Sequence, residues 1–192
     1  MKTFQLESYE NGLQSPIVIE PDVFHDERGY FVESYNEKRW KEILGDINFV
    51  QDNESKSCYG VLRGLHFQAG EHAQAKLVRV VKGQVIDVIV DIRPESEYFG
   101  KYYYVMLSAE NHRQFFVPRG FAHGFVTLED DTVFQYKCDN YYNKESEGGI
   151  IWNDKDIDIP WLQWIDEKDI ILSEKDKLHP SLKSWKTSQS MY

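Results

Sequence analysis

The sequence predicts an all-β protein, a sandwich or jelly-roll barrel, with one or a few short helices and a C-terminal tail packed on it. Short segments rich in β-branched and aromatic residues are broken at regular spacing by Gly, Asn and Asp, as strands are. Only one stretch carries a convincing helical pattern, and many strands with a single helix suit a sandwich or barrel. The clearest strands are Tyr30 to Ser34, Lys76 to Val81, Gln84 to Ile92, Tyr102 to Leu107, Gln114 to Val117 and Thr132 to Asn140. Lys82-Gly83 between two of them reads as a tight hairpin turn. The helix is Glu37 to Leu44: Asn36 caps it, Trp40, Ile43 and Leu44 make its apolar stripe, and Gly45 ends it. From Asp154 the chain turns acidic and less regular around Pro160 and the tryptophans Trp152, Trp161 and Trp164. This part reads as a tail lying back on the barrel, with a frayed end after Ser184.

The chain has 192 residues, 41% of them hydrophobic and 15% aromatic, which suits one domain over residues 1–192 with a full core. A net charge of −10 argues against a broad electrostatic grip on nucleic acid, while a local pocket of Arg and Lys can still hold a small anion. The first residues show no apolar signal-peptide core and no later stretch is long enough to span a membrane, so a cytoplasmic protein is expected. Cys58 and Cys138 lack CxxC spacing and read as reduced thiols, with a single disulfide as the alternative.

Among the histidines, His25, His72, His112 and His179 stand in polar, turn-like settings and are expected at the surface. His66 and His123 are flanked by apolar residues and glycine, so each imidazole is desolvated and needs a partner. A satisfied core histidine is the commoner occupant of any one such position; two of them near Arg63, Lys76 and Arg119 weaken that reading for the pair. Pro118-Arg119-Gly120-Phe121-Ala122-His123 matches the PxGxxH signature of the cupin jelly rolls. Metal-binding cupins join that histidine to an earlier HxH, but here the earlier position reads His66-Phe67-Gln68. Without a second histidine the three or four N, O or S ligands of a transition metal are not supplied at that spacing, so no metal or other cofactor is expected.

A metal-free pocket of this kind suits proton transfer at carbon. A neutral His66 beside a carboxylate can take a proton next to a carbonyl. Lys76 is the best-placed cation for the enolate oxygen that forms, with a solvated strand-end lysine as the even alternative. Inversion needs an acid on the opposite face. Tyr136 shares an apolar strand face with Phe134 and Cys138 and could serve, although an ordinary core tyrosine is commoner there.

Several ordered runs then carry a family resemblance. They are Asp26-Glu27-Arg28-Gly29-Tyr30-Phe31, Phe49-Val50-Gln51-Asp52-Asn53, Val61 to Gln68, Gln74-Ala75-Lys76-Leu77-Val78, Val117 to Thr127, Tyr136-Lys137 and Trp152-Asn153-Asp154. Over about residues 16–180 the chain resembles the dTDP-4-dehydrorhamnose 3,5-epimerase family, a cupin-type jelly-roll class. The resemblance implies His66 as the base at C3 and C5 of a dTDP-linked 4-keto-6-deoxyhexose, Tyr136 as the acid and Lys76 as the enolate stabiliser. Asp176, reached through Ile171-Leu172-Ser173-Glu174-Lys175, is implied as the partner of His66; Glu167-Lys168-Asp169 repeats its three letters without the preceding Ile-Leu-Ser. Arg28, Glu33, Gln51, Asp52, Asn53, Arg63, Lys76, His123, Glu147 and Lys175 match positions that bind the nucleotide sugar, where a guanidinium can bond a diphosphate in bidentate fashion.

The resemblance also implies a homodimer in which an N-terminal strand crosses to the partner. Strict alternation would put Arg63 and His66 on opposite faces, so either Gly64 hosts a bulge or Arg63 serves an interface. The family's Trp-Pro after Trp-Asn-Asp is replaced by Pro160-Trp161-Leu162-Gln163-Trp164, which changes the path of the tail. The alternatives are a monofunctional 3- or 5-epimerase, a metal-dependent cupin, and a nucleotide-sugar binding module without catalysis.

Overall fold

The computed structural model describes residues 1–9 and 12–189. In chain order the strands are β1 (Lys2–Gln5), β2 (Ile17–Glu20), β3 (Val23–Asp26) and β4 (Gly29–Val32), followed by helix α1 (Glu37–Leu44). Next come β5 (Gln51–Ser57), β6 (Leu62–Gln68), β7 (Lys76–Lys82), β8 (Gln84–Asp91) and β9 (Tyr102–Ser108). The remainder is β10 (Gln114–Val117), β11 (Phe121–Thr127), β12 (Thr132–Cys138), β13 (Glu147–Gly149) and a C-terminal helix α2 (Leu182–Gln189). A six-stranded sheet in the order β1-β2-β10-β7-β12-β5 faces a five-stranded sheet in the order β13-β6-β11-β8-β9, and β3-β4 forms a separate hairpin. This is the jelly-roll architecture expected from the strand pattern.

Three apolar clusters follow from strand alternation. Val78, Val80, Val85, Ile89, Phe115, Phe125 and Phe134 fill the space between the sheets. α1 lays Trp40 and Leu44 on Leu77 and Phe116, on the outer face of the six-stranded sheet. Its cap is local chemistry: the Asn36 side chain accepts from the Arg39 N–H, and Gly45 leaves the helix at φ 80°. On the outer face of the five-stranded sheet, Ile86, Val88 and Val90 meet Ile157, Ile159, Trp161 and Ile165 of the tail. That third layer explains why β8 has no exposed residue, since both of its faces are covered.

Two local expectations change. Lys82-Gly83 does not close a hairpin: β7 pairs with β10 and β12, whereas β8 pairs with β9 and β11, so the turn carries the chain from one sheet to the other. Residues 185–189 are helical rather than frayed, because α2 buries Leu182 and packs Trp185 against Phe67, and residues 190–192 lie outside the described residues.

The register of β6 against β11 resolves the placement of Arg63. His66 lies opposite His123 and Arg63 opposite Phe125, so β6 holds one more residue than β11 between these pairs and both side chains fall on one face. Gly64 occupies the bulge at φ 138°, where a Cβ would come within 2.6 Å of the Gly124 Cα.

The tail is fastened along its length. The Ile171 N–H donates to the Gly60 carbonyl, and the Leu62 N–H donates to the Ile171 carbonyl. Further on, the Ile151 N–H donates to the Pro180 carbonyl, and the Leu182 N–H donates to Asp154 Oδ2. Trp161 is 2% exposed and its indole N–H donates to the Trp152 carbonyl. Trp161→Ala is therefore expected to cost about 3–5 kcal/mol, read as a lower urea midpoint, with the tail detaching first in hydrogen exchange. An unchanged midpoint would show that the tail contributes little to the core.

Candidate active site

Fastening the tail at Ile171 and Pro180 brings residues 173–179 alongside β6. There Asp176 Oδ1 meets His66 Nε2 at 2.5 Å. The Ser173 hydroxyl donates to Asp176 Oδ2 at 2.7 Å, and the nearby Gly64 backbone N–H also favours the charged carboxylate. Asp176 is only 3% exposed. Burial works against its charge, but the hydrogen bonds from His66 and Ser173 outweigh it and hold the carboxyl at about 2. An ionised Asp176 only accepts, so the hydrogen of a neutral His66 sits on Nε2 and Nδ1 keeps the free lone pair. His66 is thus oriented as a base.

His66 lines a cavity of about 310 Å³ together with Lys76, Tyr136, Gln51, Asn53 and Glu147. Lys76 Nζ lies 5.8 Å from the centre of the Tyr136 ring, so cation and phenol share one wall. Burial pushes the Lys76 ammonium down from its ordinary value, opposed by the nearby Cys138, Asp87 and Glu147. Burial pushes the Tyr136 phenol up, and Cys138 adds to this while Arg63 opposes it, so the phenol keeps its proton at neutral pH. Gln51 donates to Asn53 Oδ1 at 3.0 Å, which fixes the two amides along β5. Glu147 accepts from the Tyr142 hydroxyl at 3.0 Å and pairs with Lys175 at 2.5 Å. Burial raises the Glu147 carboxyl, but Lys175 and Tyr142 outweigh that and keep it below its usual range.

Other expected residues stand apart from this cavity. His123 is buried behind it and bonds both oxygens of Asp87, at 3.0 and 2.9 Å. Burial raises the Asp87 carboxyl against the pull of His123 and Lys76. Arg63 reaches Ser57 Oγ at 3.2 Å and acts on the Tyr136 phenol by its charge. Asp52 turns to the opposite face of β5, where it pairs with Lys137 at 2.8 Å beside a second cavity of about 410 Å³. Arg28, at the turn of the β3-β4 hairpin, pairs with Asp26, and Glu33 pairs with Arg39 and accepts from Asn36. Within one chain neither reaches the cavity.

The positions of a cupin metal set do not converge. Gln68 is engaged with the Asn143 N–H at 2.9 Å and His123 is held by Asp87. Both cysteines are free, Cys138 buried and Cys58 exposed.

Sequence reading missed Gln68, Gln74 and Tyr142 in the cavity wall, and Asp87 behind it. It also placed His179 at the surface. His179 instead lies against His66, with ring centres 5.4 Å apart and planes at 72°. The alternation of β8 put Asp87 among inward-facing Val85 and Ile89 and could have marked it; nothing in the polar run around His179 signals burial.

A family model described as dTDP-4-dehydrorhamnose 3,5-epimerase matches residues 10–184. The dTDP-4-dehydrorhamnose 3,5-epimerase of Escherichia coli K12 is 53% identical over 166 residues, covering 86% of this chain and 88% of that one. The crystal structure of the enzyme of that name from Elizabethkingia anophelis superposes with a TM-score of 0.85 at 56% identity, covering 95% of this chain and 97% of that one. An epimerase from Legionella pneumophila, crystallised in complex with dTDP-4-keto-L-rhamnose, superposes at 0.83 with 47% identity over 88% of each chain. The chain belongs to the dTDP-4-dehydrorhamnose 3,5-epimerase family.

Proposed function

We propose that this protein inverts C3 and C5 of dTDP-4-dehydro-6-deoxy-D-glucose to give dTDP-4-dehydro-L-rhamnose. The contact of His66 with ionised Asp176, at a cavity shared with Lys76 and Tyr136, carries this reading. His66 Nδ1 takes the proton α to the C4 ketone, and the imidazolium is stabilised by Asp176. The electron pair moves onto the C4 oxygen, where the poorly hydrated Lys76 ammonium is a stronger donor than in water. Tyr136 returns a proton to carbon from the opposite face, which its raised pKa suits. Support for two inversions comes from the relatives at about half identity, whose names specify both carbons.

A homodimer fits the residues that stand away from the cavity. The β3-β4 hairpin exposes Phe24, Tyr30 and Phe31, three large apolar side chains on one small element. Seated on a second copy, it would carry Arg28 and Glu33 toward the partner's cavity, where Arg28 suits a diphosphate. Asp52, Arg63, His123 and Lys175 would then act at the edge of that site or in holding its walls. The enzyme would work in the cytoplasm, with a product used for cell-surface polysaccharide such as the O-antigen of lipopolysaccharide.

His66→Ala should lower turnover by about 10²–10⁴-fold and lose solvent deuterium uptake at C3 and C5, followed by NMR. Tyr136→Phe should keep uptake on the His66 face while product formation falls. Exchange that survives in His66→Ala would contradict the assignment. For assembly, sedimentation should give a dimer, and Phe24→Ser with Phe31→Ser should shift it to monomer with loss of activity. A wild-type monomer with full activity would refute that arrangement.

A further inference from the structure

His179 has no task in the proposed reaction, yet the fold buries it at the heart of the site. Its side chain is 10% exposed and lies over Gly149, where a Cβ would fall 2.4 Å from the ring. Its Nε2 has no hydrogen-bond partner among the described residues. Asp176 Oδ1 is 3.8 Å away, too far for a hydrogen bond. Leaving a buried nitrogen unpaired is unfavourable, and this one lies near a carboxylate already bonded to a second histidine.

We propose that His66, Asp176 and His179 form a site for a divalent transition metal of the zinc class, and that its occupation shuts off the base. Their donor atoms all lie within 4.8 Å of one another. Zinc–nitrogen bonds of about 2.0–2.1 Å in a tetrahedron set donor separations near 3.3 Å. The His66–Asp176 pair at 2.5 Å must open, and the His179–Asp176 pair at 3.8 Å must close, each by less than about 1 Å. Two imidazoles and one carboxylate suit zinc, copper or nickel rather than magnesium or calcium, which prefer oxygen alone. Ser173 already orients the carboxylate through Oδ2.

The metal is here an inhibitor and not a cofactor. Bound at His66 Nε2, it replaces the proton held toward Asp176, which leaves to solvent. Nδ1 takes up a proton in exchange, so the neutral ring carries its hydrogen on the nitrogen that must be bare to act. This consequence rests on His66 being the base; the binding itself does not.

Titration of the protein with ZnCl2 by calorimetry, without substrate, tests the site, with turnover assayed in parallel. Wild type should take one Zn²⁺ per chain and lose turnover in step with binding, and Mg²⁺ should do neither. His179→Phe keeps a ring over Gly149 but removes the donor. It should stay active without metal, bind zinc at least about 100-fold more weakly, and turn over in zinc that silences wild type. Co²⁺ should give wild type visible d–d bands without a thiolate charge-transfer band, a readout independent of any variant's folding. No stoichiometric binding, a thiolate band, or equal inhibition of His179→Phe would overturn the proposal, the last placing zinc on Cys58 or on the substrate's diphosphate.

Discussion

The hydrogen bond between His66 and Asp176 spans 110 residues of sequence and joins the barrel to its tail. A base on β6 alone would be a partly exposed imidazole free to hold its proton on either nitrogen. The contact removes that freedom, because an ionised carboxylate selects Nε2–H. For the carboxylate to stand there, the tail must be registered against the five-stranded sheet. Ile171 does this beside Gly60 and Leu62, and Pro180 and Leu182 do it again further on. The apolar layer of Ile157, Ile159, Trp161 and Ile165 is therefore part of how the site is built as well as part of the core.

The same logic runs through β6. Its extra residue at the Gly64 bulge turns Arg63 and His66 to one face. It also presents the Gly64 N–H to Asp176, so one backbone irregularity serves both the binding wall and the orienting carboxylate. Lys76 and Tyr136 sit on neighbouring strands β7 and β12 and line the same cavity as His66. The pairing of these strands shifts between Val133 and Phe134 and runs regularly from there, with Tyr136 opposite Val78 and Cys138 opposite Lys76.

Features set by local chemistry were legible in the sequence. α1 was bounded by its own cap residues, and β7 to β10 and β12 by alternation and turn residues. The inward face of Phe134, Tyr136 and Cys138 followed from a period of two. What local pattern could not give was which sheet a strand joins, and so Lys82-Gly83 looked like a hairpin. α2 was missed because its sequence is polar apart from Leu182 and Trp185, and its burial comes from Phe67 and the sheet. His179 looked exposed for a similar reason: its burial is created by the bare surface of Gly149, thirty residues earlier in the chain. Asp176 became visible through resemblance alone, since no spacing rule links it to His66.

The central claim is that Asp176 fixes the tautomer of His66, and ¹⁵N NMR of histidine-labelled protein tests it most directly. In wild type near neutral pH the His66 ring should show a protonated Nε2 and an unprotonated Nδ1, and Asp176→Asn should abolish that preference while the backbone spectrum is largely kept. A wild-type ring protonated at Nδ1, or one whose tautomer does not respond to Asp176→Asn, would contradict the account.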